Sequence, residues 1–145
     1  MRTVHVLRMT ECQFGEVAVL ELAGPIAGRT GAAMIDEVVR RHARTGTRIV
    51  VANLGGVPSI DLAGLGALVD ACITMRKADG VLKLACISKR VHDLVAITRL
   101  FTVIDTFDSV DEAVRAPSPA GLGFREAAAL SKLALEPIQR FLRRA

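Results

Sequence analysis

The sequence contains no tryptophan and no tyrosine, and only five phenylalanines among its 145 residues. With so few rings available, the core must be assembled from Val, Leu, Ile and Ala, a composition suited to parallel strands buried beneath helices. Cysteine is scarce as well. Cys12, Cys72 and Cys86 are odd in number, show no CxxC spacing and sit in apolar sequence surroundings. They read as reduced core thiols, which leaves no basis for a disulfide framework or a cysteine metal site. A membrane-spanning helix needs about 20 apolar residues, and the longest apolar stretch, Leu62 to Met75, falls short of that and is broken by Asp70. The opening Met1-Arg2-Thr3-Val4-His5, soon followed by Glu11, has no signal-peptide character. A cytoplasmic protein is the expectation.

Strong charge asymmetry is also missing from the body of the chain. Residues 1 to 116 carry 14 basic and 13 acidic side chains, whereas residues 117 to 145 carry five and two. A nearly neutral body with a mildly basic tail lacks the dense basic face of a nucleic-acid binder, so no direct nucleic-acid partner is expected. No P-loop is present, and nothing places a Ser-His-Asp set in a nucleophile-bearing turn. His5, His42 and His92 fall on separate elements without the spacing of a metal site; His42 reads as a helix-end cation or a packed side chain. No catalytic residues, no cofactor and no metal are expected.

Patterning supplies the architecture. Val4 to Leu7 and Val17 to Leu22 are β-type runs on either side of the polar segment Thr10 to Glu16, which predicts an opening antiparallel hairpin. Thr30 can cap a helix carrying Ala33, Met34, Val38 and His42 at helical spacing; Arg40, Arg41 and Arg44 suit its carboxyl end, and Gly46 terminates it. Arg48 to Leu54 is too apolar to have a wet face and should lie centrally in the sheet. After the loop Gly55 to Ile60, Asp61 is the N-cap of a second helix with Leu65, Leu68, Val69, Cys72 and Met75 on one stripe. Val81 to Ile87 is another strand. Ser88 then caps a third helix with Val91, Leu94, Val95 and Ile97, Phe101 to Ile104 is a short strand, and Ser109-Val110-Asp111-Glu112 is a capping box for a last helix through Arg115. The order ββαβαβαβα implies an α/β fold, a mixed but mostly parallel sheet of four to five strands with about four helices.

Ala116 to Gly123 has the composition of a linker. Beyond it Phe124, Ala128, Ser131, Leu135, Ile138 and Leu142 fall on one stripe of a C-terminal helical extension, which Pro137 should kink near Glu136. The expected division is a domain at 1–116, a linker at 117–123 and the extension at 124–145. The extension can dock on its own domain or pair in a homodimer; membrane attachment would call for a stronger basic face or a second anchor. Truncation at Ala120 should leave the domain folded.

The segment Ile49-Val50-Val51-Ala52-Asn53-Leu54-Gly55-Gly56-Val57-Pro58-Ser59-Ile60-Asp61-Leu62-Ala63-Gly64-Leu65-Gly66-Ala67-Leu68 resembles the signature of the STAS family, found in sulfate transporters and anti-sigma-factor antagonists. A strand runs into a Gly-Val-Pro turn, and Ile-Asp-x-x-Gly-Leu-Gly then starts a helix. Ser88, Val91 and Leu94, followed by Thr98-Arg99-Leu100 and Phe101, resemble the family's later strand-to-helix segment. The likeness covers residues 4 to 116. It implies a regulatory module that binds an anti-sigma factor or a related kinase-like protein. The implied partner-binding residues are Ala27, Thr30, Ser59, Ile60, Asp61, Leu62, Ala63, Gly64 and Leu65.

In typical antagonists the residue before the first helix glycine is a serine or threonine that the partner kinase phosphorylates. Phosphate adds about −1.5 to −2 charge at a helix N-terminus, where N–H groups lack partners. Here the phosphoacceptor-equivalent position is Ala63, and no phosphoester can form on a methyl group. Acidic residues frequent in the family are replaced by Ala27 and Asn53. Ser59 is the one hydroxyl in the signature loop and a candidate displaced acceptor, against the simpler reading of a serine that solvates a turn. Asp61 can meet a partner or serve only as an N-cap, and Gly64 and Gly66 are expected to allow close packing. Two further readings remain at this point: an accessory subunit of a transport complex, and a sensor binding a small ligand or nucleotide at the carboxyl ends of the strands.

Overall fold

A computed structural model describes residues 6–99 and 104–116. They form, in order, β1 (Arg8–Phe14), β2 (Val17–Ala23), α1 (Gly28–Arg44), β3 (Ile49–Gly56), α2 (Leu62–Lys77), β4 (Val81–Ala85), α3 (Lys89–Ile97), β5 (Asp105–Phe107) and α4 (Val110–Arg115). The strands make one five-stranded sheet in the order β1-β2-β3-β4-β5. β1 pairs antiparallel with β2, and every later pair is parallel. The linker at 117–123, the extension at 124–145 and the expected strand residues Phe101 to Val103 lie outside the described residues.

The sheet separates two layers. On one face Leu20, Leu22, Val50, Ala52, Leu54, Leu82 and Leu84 pack with Ile35 and Val39 of α1, the α2 stripe, and Val91 and Val95 of α3. On the other, Val19, Val51 and Ala85 pack with Ala113 of α4. Leu65, Leu68, Val69, Cys72 and Met75 are all buried, as the spacing within α2 requires. Each fully buried Leu or Ile contributes about 1.5–3 kcal/mol relative to exposure, so the two-sided burial of β3 makes it the strand around which the others organise.

Several boundaries differ from the sequence expectation. The first strand is Arg8–Phe14, where a polar connector was expected; Val6 is exposed, and Leu7 is buried outside any strand. Most of β1 is exposed at the sheet edge, so it needs no apolar alternation, and its charged Arg8 and Glu11 discourage further strand pairing. Cys12 therefore lies exposed on β1, and Cys86 is half-buried; only Cys72 is a core thiol. On α1 the buried residues are Gly31, Ile35, Val39 and His42, one position on from the Met34 and Val38 stripe, while Ala33 is exposed. Ile97 of α3 is exposed, β4 stops at Ala85, and β5 begins at Asp105, just after the buried Ile104. The expected caps of the last two helices are present: Ser88 Oγ accepts from Val91 N at 3.2 Å and Ser109 Oγ from Glu112 N at 3.1 Å.

Two polar clusters within the described residues had no counterpart in the sequence reading. His42 is buried with Nδ1 3.0 Å from Thr47 Oγ1 and Nε2 2.8 Å from Glu11 Oε1, tying the end of α1 to the edge strand. Glu11 also meets Arg41, whose hydrogen bond is the main reason its carboxyl is held below the usual range. Lys83, the one charged residue inside β4, is fully buried. Its Nζ donates to the carbonyls of Ala113 and Ala116, each at 2.8 Å, and lies 5.4 Å from the centre of the Phe107 ring. Burial pushes the Lys83 pKa down, with Asp105 opposing. The ammonium is thus the polar pin holding the short α4 to the sheet. Replacing Lys83 with Ala should lower the unfolding free energy by about 1–3 kcal/mol, because buried carbonyls lose their donor; urea denaturation that leaves the midpoint unchanged would refute that role.

Candidate functional site

The site begins where β2 and β3 leave the sheet side by side. Gly24 N donates to Gly56 O at 2.9 Å, Ile26 N to Ser59 O at 3.1 Å and Asp61 N to Ile26 O at 3.1 Å. Ile26 and Ile60 form an isolated parallel bridge. The two loops therefore continue the β2–β3 pairing past the ends of the strands and deliver the N-termini of α1 and α2 to the same place. That convergence is a nonlocal result of parallel register.

Asp61 joins the two helices. Its Oδ1 accepts from Gly64 N at 2.8 Å, the N-cap bond expected from sequence. Its Oδ2 accepts from Gly28 N, also at 2.8 Å, across 33 residues of chain. α1 thus receives its cap from another loop: Ala27 at the cap position supplies no side-chain bond, and Thr30 is an exposed third residue of the helix, not its cap. Gly28 has φ of 69°, in the left-handed region that glycine enters without a Cβ penalty, and this turns its N–H toward Asp61. Neither helix has an acidic residue in its first turn, so one carboxylate serves both positive helix ends.

Gly64 sets how closely the parts approach. A Cβ added there would lie 2.5 Å from Ile26 O and 2.6 Å from Ile26 Cγ2. Gly64 and Leu65 are buried, Leu65 completely, so both support the face from beneath. Ala27, Thr30, Asp61 and Ala63 are exposed, and Ser59, Ile60 and Leu62 are half-buried. Ala63, in the first turn of α2, opens onto a groove of about 440 Å³ between α1 and α2, lined also by Ala33, Gly66, Ala67, Asp36 and Asp70. Ser59 faces elsewhere: with Arg90, Leu94 and Ile97 it borders a separate hollow of about 230 Å³ against α3. Asn53 donates to Glu21 and accepts from Gly55 N at 2.9 Å, a local structural use of that position. Among the described residues no group of three or more His, Cys, Asp or Glu side chains gathers where it could hold a metal ion.

The acidic pair in the groove was not singled out in the sequence, although Asp70 interrupts the apolar α2 run. Asp36 forms an ion pair with Arg40 one helical turn on, at 2.9 Å. Partial burial pushes the Asp70 carboxyl up, Asp36 adds to the shift and Arg40 opposes it. The folded chain therefore holds the Asp70 proton more tightly than the unfolded chain does. The stability this group contributes is complete below the usual Asp range and is lost as pH rises through the raised value.

Asp61→Ala should cost about 1–2 kcal/mol as the helix ends lose their shared acceptor, with Asp61→Asn intermediate because only one of its side-chain atoms accepts. Gly64→Ala should cost about 1–3 kcal/mol through overpacking against Ile26. Denaturant titration checks both, and a neutral Asp61→Ala would remove the proposed clamp. At neutral pH Asp70→Asn should be neutral or stabilising by no more than about 0.5 kcal/mol, since the group is partly solvated. It should also flatten the loss of stability as pH rises through the acid range; a destabilised Asp70→Asn would contradict the direction of the shift.

The geometry can be compared with known proteins. The pattern of the STAS domain family matches residues 11–113. No curated protein matches the chain. An anti-sigma factor antagonist from Mycobacterium paratuberculosis superposes with a TM-score of 0.66 at 15% identity, over 75% of this chain and 92% of that one. The Bacillus cell fate determinant SpoIIAA in its phosphorylated form gives 0.60 at 15% identity, over 74% and 96%. A sulfate transporter family protein from Wolinella succinogenes gives 0.60 at 21% identity, over 84% and 89%. These likenesses concern the fold. With the family pattern spanning most of the chain and the same α/β fold in these structures, the chain belongs to the STAS domain family.

Proposed function

We propose that the chain is a protein-binding regulator of the anti-sigma-factor-antagonist kind, docking on a kinase-like anti-sigma factor through the face formed by the start of α1, the Ser59–Ile60 loop and the first turn of α2. The observation that carries this reading is the exposed Ala63 methyl at the N-terminus of a helix whose cap, Asp61, also fixes the neighbouring helix. A hydroxyl in that place would present a phosphate to unpaired helix N–H groups. SpoIIAA, which shares the fold, has a phosphorylated form. In this chain the position cannot be esterified, so the contact surface gains no phosphate charge there and stays binding-competent whenever the protein is present.

Binding, not catalysis, suits the site. Asp61 spends both oxygens on backbone N–H groups, and Ser59 and Ala63 open onto different depressions. That arrangement gives no support to a ligand-sensing pocket shared by Ser59 and Asp61. The sulfate transporter family likeness favours a second reading, an accessory subunit of a transport complex. The affinity partner distinguishes the two: capture of an anti-sigma factor supports the first, and capture of transport subunits the second. No helix among the described residues is long and apolar enough to cross a membrane.

Incubation with the partner kinase and ATP should leave the native chain unmodified by intact mass and still bound. Ala63→Ser should gain one phosphate, and Ala63→Glu should weaken binding by about tenfold or more, equivalent to about 1.4 kcal/mol. Stoichiometric phosphate on Ser59 of the native chain, accompanied by loss of binding, would overturn the missing-switch reading.

A further inference from the structure

Among the described residues the layer that holds α4 is incomplete. α4 is six residues long, about 9 Å, and lies over β3, β4 and β5. A five-stranded sheet is about 19 Å wide. On the same face, beyond α4, the register aligns Phe14 with Val17, Val17 with Ile49 and Ile49 with Val81 in one row across four strands. Phe14 is 66% exposed, and Val17, Ile49 and Val81 are half-buried. Cys12, which pairs with Val19, stands exposed in the adjoining row. An apolar row of this kind on the open half of a sheet face calls for a cover.

The chain itself indicates which one. α4 begins after Phe107 at the carboxyl ends of the strands, and by Ala113 and Ala116 its carbonyls have reached Lys83 Nζ. The polypeptide therefore leaves α4 on this same face, one row from Val81. Twenty-nine residues follow Ala116, and Phe124, Ala128, Ser131 and Leu135 recur at helical spacing before Pro137. From β4 to β1 is three strand spacings, about 14 Å. The seven linker residues 117–123 reach up to about 24 Å when extended, enough to cross it.

We propose that residues 124–136 dock in cis across the row Phe14, Val17, Ile49 and Val81, completing the layer that α4 begins. The extension then lies on the opposite side of the sheet from the helices that carry Ala63 and Asp61. It stabilises the domain and leaves the partner face open, so it does not act as a cap on that face.

Cys12 reports on the docking in the full-length chain. Its maleimide labelling, quantified by peptide mass, should be about tenfold or more faster in a Phe124→Asp, Leu135→Asp double variant than in the native chain, as expected when a local protecting contact is removed. The native rate should not change on dilution, and buried Cys72 should stay unreactive in both. A short amine-to-thiol reagent on the unsubstituted chain should join Cys12 to Lys132 within one molecule, which tests the contact without any substitution. Equal Cys12 rates in the two forms overturn the proposal. So do protection that fades on dilution or a cross-link between two chains, which would make a second copy the cover, and so does the absence of any Cys12–Lys132 cross-link.

Discussion

Two hydrogen bonds to one carboxylate set the geometry on which the candidate site depends. Helix N-termini carry unpaired N–H groups and partial positive charge, and two of them brought together would repel. Asp61 accepts one N–H from each, from Gly64 of its own helix and from Gly28 of α1. The clamp operates because the β2–β3 pairing continues through Ile26 and Ile60, and because the missing Cβ of Gly64 lets Ile26 pass within contact distance. Strand register, loop contact and helix packing thus meet at one side chain. Ala63 is displayed as a consequence of that arrangement.

The two layers of the fold do different work. The α1–α3 layer is large and apolar, and its end nearest the strand carboxyl termini carries the joined starts of α1 and α2. The α4 layer is thin and depends on one buried ammonium, with Lys83 supplying donors to the carbonyls at the end of a helix too short to be stable alone. The α4 layer and the starts of α1 and α2 therefore lie on opposite faces of the sheet.

Ala63 puts a methyl group, with nothing to esterify, at the exposed first turn of α2. The exposed methyl lies in the first turn of α2, next to the Asp61 cap, the close approach at Gly64 and the groove that Asp36 and Asp70 line. Regulation by amount or by competition is compatible with this geometry.

What the sequence determined by itself was whatever depends on neighbours a few residues away. The caps Asp61, Ser88 and Ser109, the buried stripe of α2, the stop at Gly46 and the two-sided burial of β3 could all be read from it, because helix ends and apolar periodicity are local. The first helical turn after Asp61 was legible for the same reason, since it follows from the Gly-Val-Pro turn and the cap. Tertiary structure alone decided the rest. β1 is an edge strand held by backbone pairing, so its polar residues carry no periodic signal. The inward face of α1 was misplaced by one position because it is set by packing against the sheet and α2, and its cap comes from a residue 33 positions away. Lys83 finds its partners only where α4 places two carbonyls above it, and Asp36 meets Asp70 only where α1 and α2 pack together. Each of these depends on contacts between segments distant in sequence, and local propensity does not encode which distant group will arrive.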